Sequence, residues 1–340
     1  MTASVLARLE GYRSLIVEEI RVVVGENHAE LFAWMRYHLG WEDRDGEPYA
    51  GASGKLLRPA ALLLATELVG GTAQAAAPAA AAVELVHNFS LLHDDIEDVS
   101  ELRHGRPTVW SFAGVAQAIN TGDGMFTLAR LAMHRLLEAG IEERRVIEAM
   151  RELDEACLRL VEGQYLDISF ETRTAVTPDE YLAMTAGKTA AMFATPFAIG
   201  ALLGGAAGET VAAFRQFGTH VGLAFQAMDD VLGIWGEPEV TGKPVGDDLR
   251  SRKMTYPVVV ALEAGGTAGA ALADAYADPT IDDIEALTRL VEDCGGREAT
   301  EQLIAQEVGL ARAAIHAAHL DAAALAACEE FATLASGRVV

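Results

Sequence analysis

A chain of 340 residues, 51 % of them hydrophobic, carries enough apolar material for one large core or two modest ones. Its 50 acids against 26 bases leave a net charge of −24, a surface that repels nucleic-acid backbones and anionic membranes and sets both aside as general partners. Cys157, Cys294 and Cys328 are odd in number and lack CxxC spacing, which predicts reduced thiols and a cytoplasmic location; no signal peptide is expected in the mixed polar opening residues.

Alanine- and leucine-rich runs with little strict alternation predict an all-α chain, and no linker marks a second domain, so residues 1–340 are expected to form one. Periodic apolar positions predict two amphipathic helices over residues 2–39, and Pro48 with three glycines marks residues 40–53 as a linker. Gly54-Lys55-Leu56-Leu57-Arg58-Pro59 then opens an apolar helix over residues 60–69, with Lys55 and Arg58 expected on one face as a clamp for an anion. A further helix over residues 75–92 leads to a run of aspartates. Asn120 to Gly124 reads as a loop and cap before a helix over residues 125–137. A long helix over residues 141–170 follows, carrying Gln164 and Asp167. Thr177-Pro178-Asp179-Glu180 is a capping signature, and it opens an apolar helix over residues 181–203 in which Lys188 must meet an anion or reach water. The segment nearest to a membrane span, residues 186–208, is broken by Lys188, Pro196 and Gly204-Gly205, so no span is expected. A second acid-ended helix occupies residues 211–235. The polar, glycine-rich loop over residues 236–253 has the character of a lid. Three or four scaffold helices, with turns at Gly265, Pro279 and Gly295, complete the chain.

The chemistry gathers in two stretches. In His87-Asn-Phe-Ser-Leu-Leu-His-Asp-Asp-Ile-Glu-Asp98, the carboxylates of Asp94 and Asp98 share one helical face with Asp95 beside them. Crowded carboxylates tolerate one another when a cation shares the site, and oxygen-only donors suit magnesium held jointly with substrate phosphates. Taken alone, an acid-ended helix in so acidic a chain is as readily a solvated face. Phe225-Gln226-Ala-Met-Asp229-Asp230 repeats the arrangement, and two such helices suggest two walls of one cavity with metal between them. Lys55, Arg58, Arg103, Arg106, Lys188, Lys243, Arg252 and Lys253 stand beside glycines or near these acids, as an anionic substrate would need.

With both aspartate stretches and Gly54-Lys55-x-x-Arg58-Pro59 in place, the chain resembles the trans-isoprenyl diphosphate synthases, or polyprenyl synthetases, of the farnesyl and geranylgeranyl diphosphate synthase type. The resemblance implies an isoprenoid synthase fold of about ten or more helices around a central active-site cavity, a homodimer, and magnesium as three ions per site. It implies that Asp94, Asp95, Asp98, Asp229 and Asp230 hold the metal around an allylic prenyl diphosphate. Arg103, Lys188 and Lys243 would grip that diphosphate, with Thr189, Phe225 and Gln226 lining it. Lys55, Arg58, His87 and His104 would receive isopentenyl diphosphate, and Gln164, Asp167, Asp247 and Lys253 would support metals and lid. Phe89 and Ser90, one turn before Asp94, would limit product length and favour geranylgeranyl over farnesyl diphosphate. Two positions depart from the family pattern: Gly233 stands where a third aspartate is usual, and His104 where the second of two arginines is usual, with Arg106 just beyond. They keep open an inactive subunit of a heteromeric prenyltransferase, against which the complete first motif counts. A class I terpene cyclase is the enzymatic alternative, and it has no need of Lys55, Arg58 and His87.

Overall fold

The computed structural model describes residues 4–49, 54–173, 175–237, 245–278, 280–281 and 283–337. These are helical almost throughout. The two strands among them, β1 (Leu102–Arg103) and β2 (Arg106–Pro107), pair antiparallel in a minimal hairpin directly after the first aspartates. Packing gathers in two compact units: Met1–Glu155 with Thr195–Phe214, and Ala156–Ala194 with Arg215–Val340.

The first unit contains α1 (Val5–Val24), α2 (Glu30–His38), α3 (Leu57–Leu68), α4 (Ala73–Glu97), α5 (Val109–Ala113) and α6 (Val115–Glu138). Thr72 caps α4 by accepting from the Ala75 amide. Six alanines of α4, from Ala76 to Ala82, are buried, and such small side chains let α1, α3 and α6 pack close against it. The helix runs past the expected end at residue 92, so Asp94 and Asp95 lie in its last turn and Asp98 caps it. Carboxylates there oppose the helix dipole, a placement that a bound cation offsets.

Two expectations change in this unit. Asn120 to Gly124 is not a loop but the middle of α6. Its glycines serve close packing: a Cβ on Gly122 would lie 2.3 Å from His93 Nε2, and one on Gly124 2.3 Å from Met35 Cε. Lys55 and Arg58 do not share a helical face, because α3 starts only at Leu57, after Leu56 in a left-handed conformation (φ 51°). Lys55 is therefore exposed, whereas Arg58 is half-buried.

Helices α7 (Glu143–Phe170), α9 (Ala191–Leu203) and α10 (Gly208–Trp235) contribute residues to both units, and α8 (Pro178–Thr185) belongs to the second. The capping box at Thr177 forms as expected: the Glu180 amide donates to Thr177 Oγ1 over 3.2 Å and the Thr177 amide donates to Glu180 Oε2 over 2.9 Å. The helix expected over residues 181–203 is interrupted by a π-helical turn, Ala186–Ala190, which carries Lys188. Turns of that kind frequently sit at functional sites.

Beyond α10 come α11 (Asp247–Arg250), α12 (Tyr256–Ala264), α13 (Gly266–Ala277), α14 (Ile284–Asp293), α15 (Gly296–His316) and α16 (Ala322–Ala335). Ile234, Leu249, Val258, Leu272, Leu287 and Val291 form their core. Turns appear at Gly265 and Gly295, while Pro279 lies outside the described residues. All three cysteines are free. By length and composition Ala73–Glu97 and Pro178–Leu203 could each cross a membrane, the first of which was not expected; 78 % of each apolar window is buried inside the protein, as in a core helix.

Candidate active site

In the first unit the three aspartates have separate environments. Asp98 is exposed and Asp94 half-buried, but Asp95 is 1 % exposed. Its Oδ1 accepts a 2.8 Å hydrogen bond from Arg103 Nε, and its buried Oδ2 has no partner among the described residues. Burial pushes the Asp95 carboxyl up to about 6 against the pull of Arg103. Arg103 is delivered by β1, and His104 makes the hairpin turn with φ 51°.

Beside this pair lies a cavity of about 180 Å³, lined among others by His38, Glu84, His87, Asp95, Arg103 and His104. Gly54 and Leu56 also border it, with the exposed Lys55 between them. Arg58 comes in behind His87, its Nη1 3.5 Å from Nε2 of that ring. Burial first, and then Arg58 and Arg103, hold the His87 pKa well below the ordinary value; burial and Arg103 lower His104 as well. Both rings are thus neutral at pH 7. Glu84 is buried under the same cavity, accepts a 2.9 Å bond from Asn88 Nδ2, and is pushed up to about 7 by burial. Burial, with Arg103 and Arg106 nearby, takes His38 down to about 3. At neutral pH the cavity lining carries the guanidiniums of Arg103 and Arg106 beside the ionised Asp95 and a half-ionised Glu84, and the guanidiniums suit a diphosphate.

Arg106, just beyond the missing second arginine, lines the same cavity while its guanidinium is also engaged elsewhere. It donates to the carbonyls of Tyr37 (2.9 Å) and Glu42 (2.7 Å), and it stacks 4.0 Å over Tyr37 and 4.2 Å over Tyr49. Its work is to hold the hairpin. Phe89 is half-buried edge-on against Phe126 (5.1 Å) and His93 (5.7 Å), while Ser90 Oγ turns back to the His87 carbonyl.

In the second unit Asp229 is exposed and Asp230 is 2 % exposed. Oδ2 of Asp230 accepts from the Tyr181 hydroxyl (2.5 Å) and the Tyr256 amide (3.0 Å), and Oδ1 accepts from Gln226 Nε2 (3.0 Å). Gln226 Oε1 in turn accepts from Thr189 Oγ1 over 2.8 Å. Burial still pushes Asp230 up to about 6. Gln226 and Thr189, expected to line a diphosphate, are thus linked in a hydrogen-bond chain to Asp230. Phe225 packs 5.0 Å from Phe193.

Lys188 is positioned by backbone contact. A Cβ on Gly163 would lie 2.2 Å from the Lys188 nitrogen, so the π turn rests directly on α7, and Lys188 Nζ reaches Asp167 Oδ2 at 2.5 Å. Partial desolvation opposes the Lys253 ammonium, yet Asp167, Asp248, Asp230 and Asp229 hold its pKa above the ordinary lysine value. Asp247, expected as a supporting group, opens α11 with Asp248 beside it. Gln164 is half-buried on α7, and Lys243 lies outside the described residues.

The polyprenyl synthetase family pattern matches residues 46–293. The chain belongs to the polyprenyl synthetase family. It is 44 % identical over 303 residues to the (2E,6E)-farnesyl diphosphate synthase of Mycobacterium tuberculosis, covering 87 % of this chain and 83 % of that one. To the geranylgeranyl diphosphate synthase of the same organism it is 45 % identical over 282 residues, covering 82 % and 79 %. The crystal structure of a polyprenyl synthetase from Streptomyces coelicolor A3(2) matches with a TM-score of 0.92 at 40 % identity, over 98 % of this chain and 99 % of that one. The protein is thus a trans-prenyltransferase with the all-α isoprenoid synthase fold, joining isopentenyl diphosphate to an allylic diphosphate.

Family membership implies dependence on magnesium, and the donors of this synthetase fit that ion. They are carboxylate oxygens, among them Asp94 and Asp98 at the end of α4 and Asp229 on α10. Magnesium takes such oxygens one or two at a time, with water and substrate phosphates completing the shell. Tyr181, Tyr256 and Glu84 escaped the sequence reading. Tyr181 follows the capping box and Glu84 precedes His87 by three, but neither position says which polar group it will meet.

Proposed function

We propose that this synthetase makes geranylgeranyl diphosphate, as a cytoplasmic homodimer whose 340 residues act as one catalytic domain. The observation that carries the reading is the cavity bordered by His87, Arg103 and His104 with Arg58 behind. It offers cationic and neutral donors to the diphosphate of isopentenyl diphosphate, with exposed Lys55 at its edge. The allylic diphosphate is assigned to Lys188, Lys243 and Lys253. Asp94 and Asp98 in the first unit would hold magnesium, and so would the exposed Asp229 in the second, with three ions expected in all and diphosphate oxygens completing their shells. Asp95 and Asp230, buried and hydrogen-bonded, set Arg103 and the end of α10 in place. When bound, magnesium offsets the charge that develops on the leaving diphosphate as the allylic C1–O bond breaks. The double bond of isopentenyl diphosphate then forms the new bond to C1 and a proton leaves. The released diphosphate can accept that proton, so neutral His87 and His104 have no acid–base duty.

Product length rests on Phe89, braced by Phe126 one turn before Asp94, with small Ser90 beside it. A second copy of the chain is supported by Leu158, Val161, Tyr165 and Ile168, an exposed apolar stripe at helical spacing on α7. A cyclase would leave the Arg58–His87 cavity without a substrate. Incubation with isopentenyl diphosphate and dimethylallyl, geranyl or farnesyl diphosphate, followed by sizing of the products, tests the proposal. A dominant geranylgeranyl product is expected; arrest at farnesyl, much longer chains, or a cyclic hydrocarbon with no isopentenyl diphosphate consumed would each overturn it.

A further inference from the structure

Glu84 is a buried acid to which the transfer chemistry gives no part. It lies on α4 one turn before His87, is 7 % exposed, and borders the same cavity as His87, Arg103 and His104. From the next turn of α4, Asn88 Nδ2 donates to Glu84 Oε1 over 2.9 Å and to the Glu84 carbonyl over 2.8 Å, which fixes the carboxylate against its own helix. Arg58 at the start of α3 and Arg13 on α1 favour its charged form, and burial opposes it more strongly. The other titratable and charged groups bordering the cavity are His38 and Tyr37 from α2, Tyr49, His87 and Asp95 from α4, and Arg103, His104 and Arg106 from the hairpin. From α5 the cavity receives only Val109, and from α6 nothing, among the described residues. Burial keeps the three histidines neutral, and Asp95 is tied to Arg103. Glu84 is the group balanced between its two forms at pH 7.

We propose that Glu84 is a positioning residue that couples the binding of isopentenyl diphosphate to the uptake of one proton, so that the cavity receives the diphosphate with the Glu84 carboxyl neutral. This rests on the reading of the cavity as the isopentenyl diphosphate site. The proton comes from solvent and rests on a Glu84 carboxylate oxygen, and no bond of the substrate changes. The sign follows from charge. An ionised Glu84 occupies the fields of Arg58 and Arg13 and repels an entering anion, whereas a protonated one leaves both guanidiniums to the diphosphate. The entering anion in turn raises the proton affinity of Glu84, so affinity for the diphosphate rises as the pH falls from about 8 to about 6. Because burial has already brought Glu84 up to about 7, the proton is gained at little cost near neutrality. At about pH 8 the ionised carboxylate holds affinity down by at most about tenfold.

The test is titration calorimetry of the full chain with isopentenyl diphosphate between about pH 6 and about pH 8, in buffers of different ionisation enthalpy, which yields affinity and protons taken up together. Glu84→Gln keeps the shape and the acceptor for Asn88 but cannot titrate, and comparison with the wild type cancels the ligand's own protonation. At about pH 8 the wild type takes up close to one proton more per ligand than Glu84→Gln. The variant binds about three- to tenfold more tightly there, and the two proteins converge at about pH 6. Asn88→Ala, which removes the bond that favours the ionised form, moves the pH of half-maximal uptake upward. Equal proton uptake in wild type and Glu84→Gln, no gain in affinity for that variant at about pH 8, or an unmoved midpoint in Asn88→Ala each overturns the proposal. If Arg58→Ala still weakens binding, the reading of the cavity survives that outcome. Wild-type affinity in Arg58→Ala, or a wild type that does not bind isopentenyl diphosphate, overturns both.

Discussion

The Tyr181 hydroxyl donates a 2.5 Å hydrogen bond to Oδ2 of Asp230, tying the first turn of α8 to the acidic end of α10. Tyr181→Phe keeps the ring and removes the donor, leaving that oxygen to the Tyr256 amide alone. The expected loss is about 1–3 kcal/mol of stability, the cost of an under-satisfied buried polar group, read as a lower urea midpoint. Turnover should fall with it, while the KM for isopentenyl diphosphate holds because the Arg58 cavity is untouched. An unchanged urea midpoint would remove Tyr181 from this role.

Glu84 gives the apo protein a pH dependence. Its folded pKa of about 7 lies above the ordinary 4.5, so its contribution is fully present below about pH 4.5 and is lost as the pH rises through 7. Asp95 and Asp230, raised from 3.8 to about 6, act with the same sign. The contribution of these carboxyls to stability therefore rises as the pH falls from about 8 to about 6, opposed by His38 and His87, which burial keeps neutral in the folded state while their unfolded imidazoles take up protons. Glu84→Gln, which can still accept from Asn88, should flatten that slope and be more stable than the wild type at pH 8 by about 1–3 kcal/mol. Identical urea midpoints of the two proteins across this range would contradict the assignment.

Arg58→Ala should raise the KM for isopentenyl diphosphate about ten- to a hundredfold, as expected for losing a hydrogen bond between charged groups, with little change for the allylic substrate. Equal effects on both substrates would place Arg58 outside the isopentenyl site.

Asp94→Ala should cut turnover about a hundredfold or more without lowering the melting temperature of the apo protein. Asp94 is one of several acids at the C-terminal end of α4, where removing a negative charge relieves repulsion. A cooperative unfolding transition far below that of the wild type would mean that the side chain is structural.

Phe89→Ala should lengthen the product beyond geranylgeranyl diphosphate by opening the space that Phe89 and Phe126 close edge-on. The ring is half-buried, so the expected cost is about 1–3 kcal/mol, below that of a fully buried phenylalanine. An unchanged product profile in a stably folded variant would move the length limit to other residues.

The helical class, the chain order of the acidic and basic motifs, and the capping box at Thr177 were legible in the sequence because each is local. Helical periodicity and caps are written within a few residues, and charged groups in so apolar a chain mark themselves. Neighbouring residues with the same letter were not separable in that way. Asp94 and Asp95 read alike, as do Asp229 and Asp230, yet one of each pair reaches solvent while the other is buried against Arg103 or Tyr181. Gly122 read as punctuation because spacing along the chain cannot show that His93 will pack against its backbone. The π turn at Lys188 likewise depends on contacts between segments far apart in the chain. Composition and periodicity determined what the helices are and which groups they carry; only tertiary packing, which sets burial and the identity of each partner, decided which carboxylates reach solvent.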